Sequence, residues 1–379
     1  MNLTKTGPES FSAFEIAGAA EVPVARPRLP LAGQLLPYLR RIDQSRWYSN
    51  SGPLVEEFEG RLAQHAGGGA VGTVGNATIG LTLALLAYDL PPGSLCMVPS
   101  WTFAATGHAI QMAGLTPWLV DVDPASSALE ASMARELLPE APGPVSVVIP
   151  VSPFGQPIDF SRWKLFRAET GIPVVIDAAA MFDTIRAQSI PAVVSLHATK
   201  ALGVGEGGFV ITTDRSFVQE IQKRANFGFW GSREATARSG NGKLSEYAAA
   251  VGLAGLDQWT ETRADFARVG RAYAAAFAGQ SSVTLQEGFG ERWISSTVIA
   301  TLGEGRAETV GRELAGRGIG TRQWWGGGLH RHAAFAQCPR SDLQATEILA
   351  GKVIGLPCWR DLPNDKIELI SEIVTSSAG

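Results

Sequence analysis

Val193-Val194-Ser195-Leu196-His197-Ala198-Thr199-Lys200-Ala201-Leu202-Gly203-Val204-Gly205-Glu206-Gly207-Gly208-Phe209-Val210 is the stretch on which the reading of this chain turns. A short apolar strand, Ala192 to Val194, leads Ser195 and His197 into a turn. Lys200 follows, then glycines and Glu206, then a second apolar strand from Phe209 to Thr212. A lysine between two buried strands is unusual, because Lys is rarely deep unless it is paired or used chemically. Burial lowers the pKa of such an amine and makes it a nucleophile toward carbonyls. Taken alone, the pattern fits a surface lysine on a loop equally well.

A second stretch decides between these. Ile172 to Ile176 is an apolar strand ending in Asp177, followed by Ala178, Ala179 and Ala180. A carboxylate at the end of a buried strand points into the crevice where α/β sheets bind ligands. A lysine and an aspartate on neighbouring strand ends are what pyridoxal phosphate requires. The lysine takes the aldehyde, and the aspartate keeps the pyridine nitrogen protonated so that the ring acts as an electron sink.

Asp177-Ala178-Ala179, Ser195-Leu196-His197-Ala198-Thr199-Lys200 and Gly205-Glu206-Gly207-Gly208 together resemble the DegT-type sugar aminotransferases, from about Arg26 to the C-terminus. The resemblance implies a fold-type-I pyridoxal-phosphate-dependent α/β transferase. Its large domain would hold a mostly parallel mixed sheet flanked by helices, with a smaller C-terminal α/β domain beside it. It also implies a homodimer with active sites at the interface, glutamate as amino donor and a nucleotide-linked keto-sugar as acceptor.

Composition agrees with such an enzyme. At 379 residues the chain is long enough for a sizeable core, and a net charge of −4 without a basic block leaves no electrostatic footprint for nucleic acid. Cys96, Cys338 and Cys358 are few, odd in number and far apart. They argue against a disulfide framework or a metal site, and for a reducing cytoplasm. No apolar run approaches a membrane span. Residues 1–25 read as a poorly ordered leader without a secretion signal. Residues 26–260 read as the large domain, and 261–379 as a connecting helix with the small domain.

Along the chain, Val71 to Val74 is a strand, Gly75-Asn76-Ala77-Thr78 a polar turn, and Ile79 to Ala87 a helix. Strand, turn, helix offers backbone N–H groups and a positive dipole end to a phosphate. Many α/β turns share that outline. With Lys200 and Asp177, Asn76, Ala77 and Thr78 become the expected phosphate site, and Ser195 joins them by resemblance. Phe103, in Pro99-Ser100-Trp101-Thr102-Phe103, matches the family's aromatic over the pyridine ring; the alternative is that it or Trp101 is simply core. Helical patterns between strands at Thr116 to Val120 and Val145 to Val151 argue for a mostly parallel sheet. Gly203, Gly205 and Gly208 fit the spacing of a dinucleotide fingerprint, but they precede a strand, so that reading fails its context.

On the substrate side the resemblance points to Tyr48 in the Trp47 to Pro53 loop, His197, Lys243 and His330. It also places Asn241 across the dimer on the neighbour's cofactor phosphate. Trp324 and Trp325, beside Gly326 to Gly328, suit stacking on a sugar or base, or packing within the small domain. One departure stands out. The family usually carries Gln or His where Ala180 stands, to contact the cofactor's 3-hydroxyl, and alanine has no such hydrogen bond to give. Asn226-Phe227-Gly228-Phe229 and Asn241-Gly242-Lys243 look nearest to members that aminate the 4-keto position of a 4-keto-6-deoxyhexose. A 3-keto-sugar or a keto-cyclitol stays open, as does a non-catalytic protein that binds pyridoxal phosphate or nucleotide-sugar.

Overall fold

In the computed structural model, which describes residues 20–378, the elements follow one another as strand–helix units. Two helices come first, α1 (Ala32–Ser45) and α2 (Pro53–His65). The sheet-forming part then runs β1 (Ala70–Val74), α3 (Ala77–Ala87), β2 (Leu95–Pro99), α4 (Ala104–Met112), β3 (Thr116–Val120), α5 (Ala131–Leu137) and β4 (Val145–Val148). It continues with α6 (Phe160–Thr170), β5 (Ile176–Asp177), β6 (Ala192–Ser195), β7 (Gly208–Thr212) and α7 (Arg215–Ala225). After α8 (Glu246–Asp257) and α9 (Trp259–Ala276) come β8 (Val283–Leu285), β9 (Val298–Leu302), α10 (Arg306–Gly316), α11 (Gln344–Lys352), β10 (Val353–Leu356) and α12 (Asn364–Ala378).

β3, β2 and β4 pair in parallel, and β5 pairs in parallel with β6. Parallel bridges from Val148 to Val174 and from Val151 to Asp177 join the two groups, giving the order β3-β2-β4-β5-β6-β7-β1. Only β7 runs against its neighbours, pairing antiparallel with both β6 and β1. The reason is local. No helix intervenes between Ser195 and Gly208, so the chain returns as a hairpin, and a parallel partner would need a long crossover. That hairpin loop carries Lys200.

The expected strands at Ile172 to Ile176 and Val145 to Val151 are shorter than their apolar runs. Pro173 and Pro150 have no N–H to give a ladder, so regular pairing is confined to Ile176–Asp177 and Val145–Val148. Helices cover both faces of the sheet. Phe58, Phe166, Phe182 and Ile176 fill one side and Val74, Leu85, Val98 and Val193 the other, all essentially inaccessible. Each such side chain contributes roughly 1.5–3 kcal/mol on burial.

The C-terminal strands form a separate antiparallel sheet, β10-β9-β8, packed with α9, α10 and α12 around Tyr273, Trp293, Val298, Leu314 and Ile370. The leader needs correction where it is described. Val22 and Val24 are buried, Val22 pairs with Ile319, and Val24 accepts from Cys358 N, so this segment is stitched onto the small sheet. Residues 1–19 lie outside the described residues.

Candidate active site

Asp177 ends β5, 5% exposed, with its carboxylate held on two sides. Thr106 Oγ1 donates to Oδ2 at 2.7 Å and Ala179 N to Oδ1 at 3.1 Å. Thr102 Oγ1 lies 2.9 Å from Thr106 Oγ1, extending the chain of polar groups along α4. Burial raises the pKa of Asp177, while Thr106, Ala179 and the charge of Lys200 pull it down; the net shift is upward. Lys200 shows the mirror image. Burial lowers its pKa and the carboxylate of Asp177 alone opposes that. Each charge acts on the other, and Lys200 forms no ion pair within 4 Å among the described residues. Its backbone is set by Lys200 N donating to His197 O, at 2.8 Å.

The turn expected to hold the phosphate is built by close packing. Ser195 pairs with Gly208 across β6 and β7. A Cβ on Gly208 would stand 2.8 Å from Ala77 N and 3.0 Å from Val194 O, so only glycine lets the start of α3 rest against β7. At that helix start, Ile79 N donates to Asn76 Oδ1 and Gly80 N to Asn76 O. The amides of Ala77 and Thr78 remain, directed out of the helix beside Ser195. The side chain of Asn76 is therefore a helix cap, and its contribution at this turn is to aim its neighbours' amides.

These residues fit pyridoxal phosphate. A buried carboxylate with a raised pKa gains a cationic partner from a protonated pyridine nitrogen. A lysine with a lowered pKa is ready to attack an aldehyde, and two free amides at a helix start suit a phosphate. Phe103 caps α4 with 57% of its surface exposed, an aromatic face that no protein group covers fully.

The remaining sites expected from sequence are distributed differently. His197 turns back on its own loop, with Nδ1 2.8 Å from Thr199 Oγ1 and Nε2 3.6 Å from Glu206 Oε1. Gly75 N donates to Gly242 O at 2.7 Å, which brings the Asn241–Lys243 loop against the phosphate-side turn of the same chain. Lys243 lies over the Phe227 ring, 4.4 Å from its centroid, and burial lowers its pKa. Asn241 is exposed and bridges Asn226. Tyr48 is exposed and stacks loosely on Tyr247, with ring centroids 6.3 Å apart.

Three residues expected on the substrate side are engaged within the chain. Trp325, 8% exposed, stacks on Phe154 at 3.9 Å and meets Trp101 edge-on at 5.5 Å, so its faces are taken by packing and not open to a sugar. Trp324 lies against Gly355 and under the Arg322 guanidinium. His330 is buried, with Nδ1 2.8 Å from Ser100 Oγ and Nε2 2.8 Å from Glu347 Oε1. Trp325 and His330 thus brace the Ser100–Phe103 segment. Two residues went unread in the sequence. Thr106 orients Asp177. Glu246, buried, accepts from Leu54 N and Val55 N and ties the Tyr48 loop and α2 to α8. Neither has a local signal, because each acts on a partner far along the chain.

The fold and the paired lysine and aspartate define a pyridoxal-phosphate-dependent transferase. The chain belongs to the DegT/DnrJ/EryC1/StrS aminotransferase family, which it matches over residues 31–375. It is similar to Protein Rv3402c of Mycobacterium tuberculosis, 28% identical over 375 residues, covering 93% of this chain and 89% of that one. It also resembles the dTDP-4-amino-4,6-dideoxy-D-glucose transaminase of Escherichia coli, 30% identical over 244 residues, 62% of this chain and 64% of that one. The crystal structure of DesI in the presence of its TDP-sugar product superposes with a TM-score of 0.86 at 31% identity, covering 96% of this chain and 94% of DesI. The protein is a sugar aminotransferase and its cofactor is pyridoxal phosphate. Among the described residues no helix is long and apolar enough to cross a membrane, and no cluster of three metal-ligating side chains occurs.

Proposed function

We propose that this enzyme moves the amino group of glutamate to the 4-keto carbon of a nucleotide-linked 4-keto-6-deoxyhexose, giving the 4-amino-4,6-dideoxy sugar. The observation that carries the chemistry is the placing of Asp177 at the end of β5 and Lys200 just after the adjoining parallel strand β6, close enough for each charge to act on the other. The ring position is supported by the Escherichia coli relative, a dTDP-4-amino-4,6-dideoxy-D-glucose transaminase, and the nucleotide-linked sugar by the TDP-sugar product in the DesI structure.

When bound, the cofactor supplies an electron sink for negative charge at the donor's α-carbon. Asp177 would hold the proton on the pyridine nitrogen, with Thr106 and Ala179 fixing the orientation of its carboxylate. Lys200 Nζ would hold the aldehyde and, as a free amine, would take the proton from the donor's α-carbon; its lowered pKa favours the neutral form that a base needs. The amides of Ala77 and Thr78 and the hydroxyl of Ser195 would bind the phosphate, and Phe103 would offer an aromatic face to the ring. Ala180 has no hydrogen-bonding group to give the 3-hydroxyl.

Tyr48, His197 and Lys243 are the groups assigned to the sugar-nucleotide side. Lys243 suits a diphosphate, being a cation without an acidic partner among the described residues. Asn241 is assigned to the phosphate of the second subunit in a homodimer. Trp47, Tyr48 and Tyr247, each about half exposed, supply apolar surface for that contact. The enzyme is taken to work in the cytoplasm, with residues 26–260 as its cofactor domain and 261–379 as the smaller one.

The test mixes purified protein with pyridoxal phosphate, glutamate and keto-sugars. Glutamate should bleach the visible band, and the dTDP-linked 4-keto-6-deoxyhexose should restore it and yield the amino sugar by mass spectrometry. Lys200→Ala should show no band. Restoration by a 3-keto-sugar or a keto-cyclitol alone would replace the ring-position assignment.

A further inference from the structure

Thr82 in α3 and Thr170 in α6 do what a helical threonine ordinarily does. Each returns its hydroxyl to the carbonyl four residues back, at 2.9 and 2.8 Å. Thr106 in α4 does not. Its hydroxyl reaches out of the helix to Asp177 Oδ2, at 2.7 Å, and Thr102 Oγ1 stands 2.9 Å behind it. Thr102, Thr106 and Asp177 are all buried.

A hydroxyl has one proton to give, so the two threonines cannot be read separately. An ionised Asp177 only accepts. Thr106 then gives its proton to Oδ2, and Thr102 gives its own to Thr106. A neutral Asp177 reverses this order. Oδ1 still accepts from Ala179 N, at 3.1 Å, so the acid proton belongs on Oδ2, whose one hydrogen-bond partner among the described residues is Thr106 Oγ1. Thr106 then accepts, and its own proton turns to Thr102. A lysine or arginine in place of Thr106 could only donate, and would face a second donor whenever the acid took up its proton. Burial raises the pKa of Asp177, which widens the pH range where the neutral acid is populated in the cofactor-free protein.

We propose that Thr102 is a positioning residue of this site, and that Thr102 and Thr106 form a hydroxyl relay whose direction reverses with the charge of Asp177. The relay holds the carboxyl in one orientation in both states, as a neutral acid before the cofactor binds and as a carboxylate once a cation faces it. Its part in cofactor binding rests on the reading of Asp177 given above; the relay itself does not. Thr102 acts only through Thr106.

Lys200 is the charge that acts on Asp177. On the other elements around it, His108 of α4 is exposed and lies on Phe335, His197 and Glu206 of the β6–β7 hairpin face each other, and Asp183, after β5, pairs with Arg263. β4 and the turn after it have no titratable group.

The experiment is a double-mutant cycle of Thr102→Val and Thr106→Val. It is read by denaturant unfolding of the cofactor-free protein at about pH 7.5 and about pH 4, and by the affinity for pyridoxal phosphate. Thr102→Val should lower the unfolding midpoint by similar amounts at both pH values, because the relay uses that hydroxyl in either direction. It should also weaken cofactor binding by about three- to tenfold, the size expected for one hydrogen bond. In the Thr106→Val background the same substitution should cost little or nothing, since the hydroxyl has lost the group it serves. Equal losses in the two backgrounds would make Thr102 a packing residue and overturn the proposal. A loss present at about pH 7.5 and absent at about pH 4 would overturn the reversal, and no loss at either would overturn the relay. If Thr102→Val does not fold, Thr102→Ser decides. Serine keeps the hydroxyl, so its cofactor affinity should stay within about twofold of wild type, and a loss as large as that of Thr106→Val overturns the proposal. Should Asp177→Asn bind pyridoxal phosphate as tightly as the wild type, the reading of Asp177 fails, and the unfolding cycle, which contains no cofactor, still decides the relay.

Discussion

Thr106 Oγ1 lies 2.7 Å from Asp177 Oδ2 and joins the first turn of α4 to the end of β5, two elements connected by no short loop. The bond stabilises the ionised carboxylate, against a burial that favours the neutral acid. Thr106→Val keeps the shape and removes the donor. Hydrogen bonds to charged groups contribute about 1.5–3 kcal/mol, so cofactor affinity should fall by about tenfold or more. Titration of the cofactor-free enzyme with pyridoxal phosphate, followed by absorbance, checks this. Unchanged affinity would mean that Asp177 needs no help.

Gly208 tests the phosphate cup separately. A methyl there meets backbone on both sides, Ala77 N and Val194 O, and neither can rotate away. Gly208→Ala should push the start of α3 off β7 and cost about 1–3 kcal/mol of stability. Its distinguishing mark is the ligand. The affinity for pyridoxal phosphate should fall further than that for pyridoxal, which lacks the phosphate. Equal losses for both would place the damage elsewhere.

Asp177 also makes a prediction for the cofactor-free protein. Its folded pKa is raised, so the stability it lends is complete at acid pH and is lost as pH rises through that folded value. Asn at this position carries no charge to desolvate. Asp177→Asn should therefore melt higher than the wild type at about pH 7.5, and the gap should narrow on lowering the pH to about 4, because a raised pKa leaves the wild-type carboxyl protonated at acid pH. With pyridoxal phosphate added, the order should reverse, because the variant cannot hold the pyridinium. Melting curves at the two pH values, with and without cofactor, read both signs.

These contacts also explain what the sequence revealed and what it withheld. Lys200 and Asp177 were legible because each sits in a dense local pattern, an apolar strand running into a polar turn. The phosphate turn was legible for the same reason, yet Asn76 turned out to cap its own helix, since a side chain's local options compete with its ligand. For Trp325 the sequence left stacking on a sugar and packing both open, because flanking glycines suggest an open loop. Its burial comes from Trp101 and Phe154, which no nearby residue announces. The same holds for Val22, whose pairing partner Ile319 is at the far end of the chain, and for Thr106, whose partner is Asp177. Periodicity reports what a segment buries and says nothing of the partner from another element.

His330 separates bracing from substrate contact. Its ring joins the buried hydroxyl of Ser100 to Glu347 on α11, and the backbone of Ser100 also accepts from Leu329 N at 2.7 Å. Ser100 is fully buried and begins the segment that carries Phe103 and leads to Thr106. Removing the ring orphans a buried hydroxyl and opens a cavity, together about 2–4 kcal/mol. His330→Ala should accordingly melt several degrees lower and bind pyridoxal phosphate more weakly, through slack at Phe103 and Thr106. Its KM for the keto-sugar, measured at saturating cofactor, should stay within about threefold of wild type, as expected when no substrate contact is lost. His330→Gln, which keeps a hydrogen-bonding group on a similar length of side chain, should recover part of the melting temperature and of the cofactor affinity together. A KM raised tenfold or more in a variant with unchanged cofactor affinity would instead put the imidazole on the sugar.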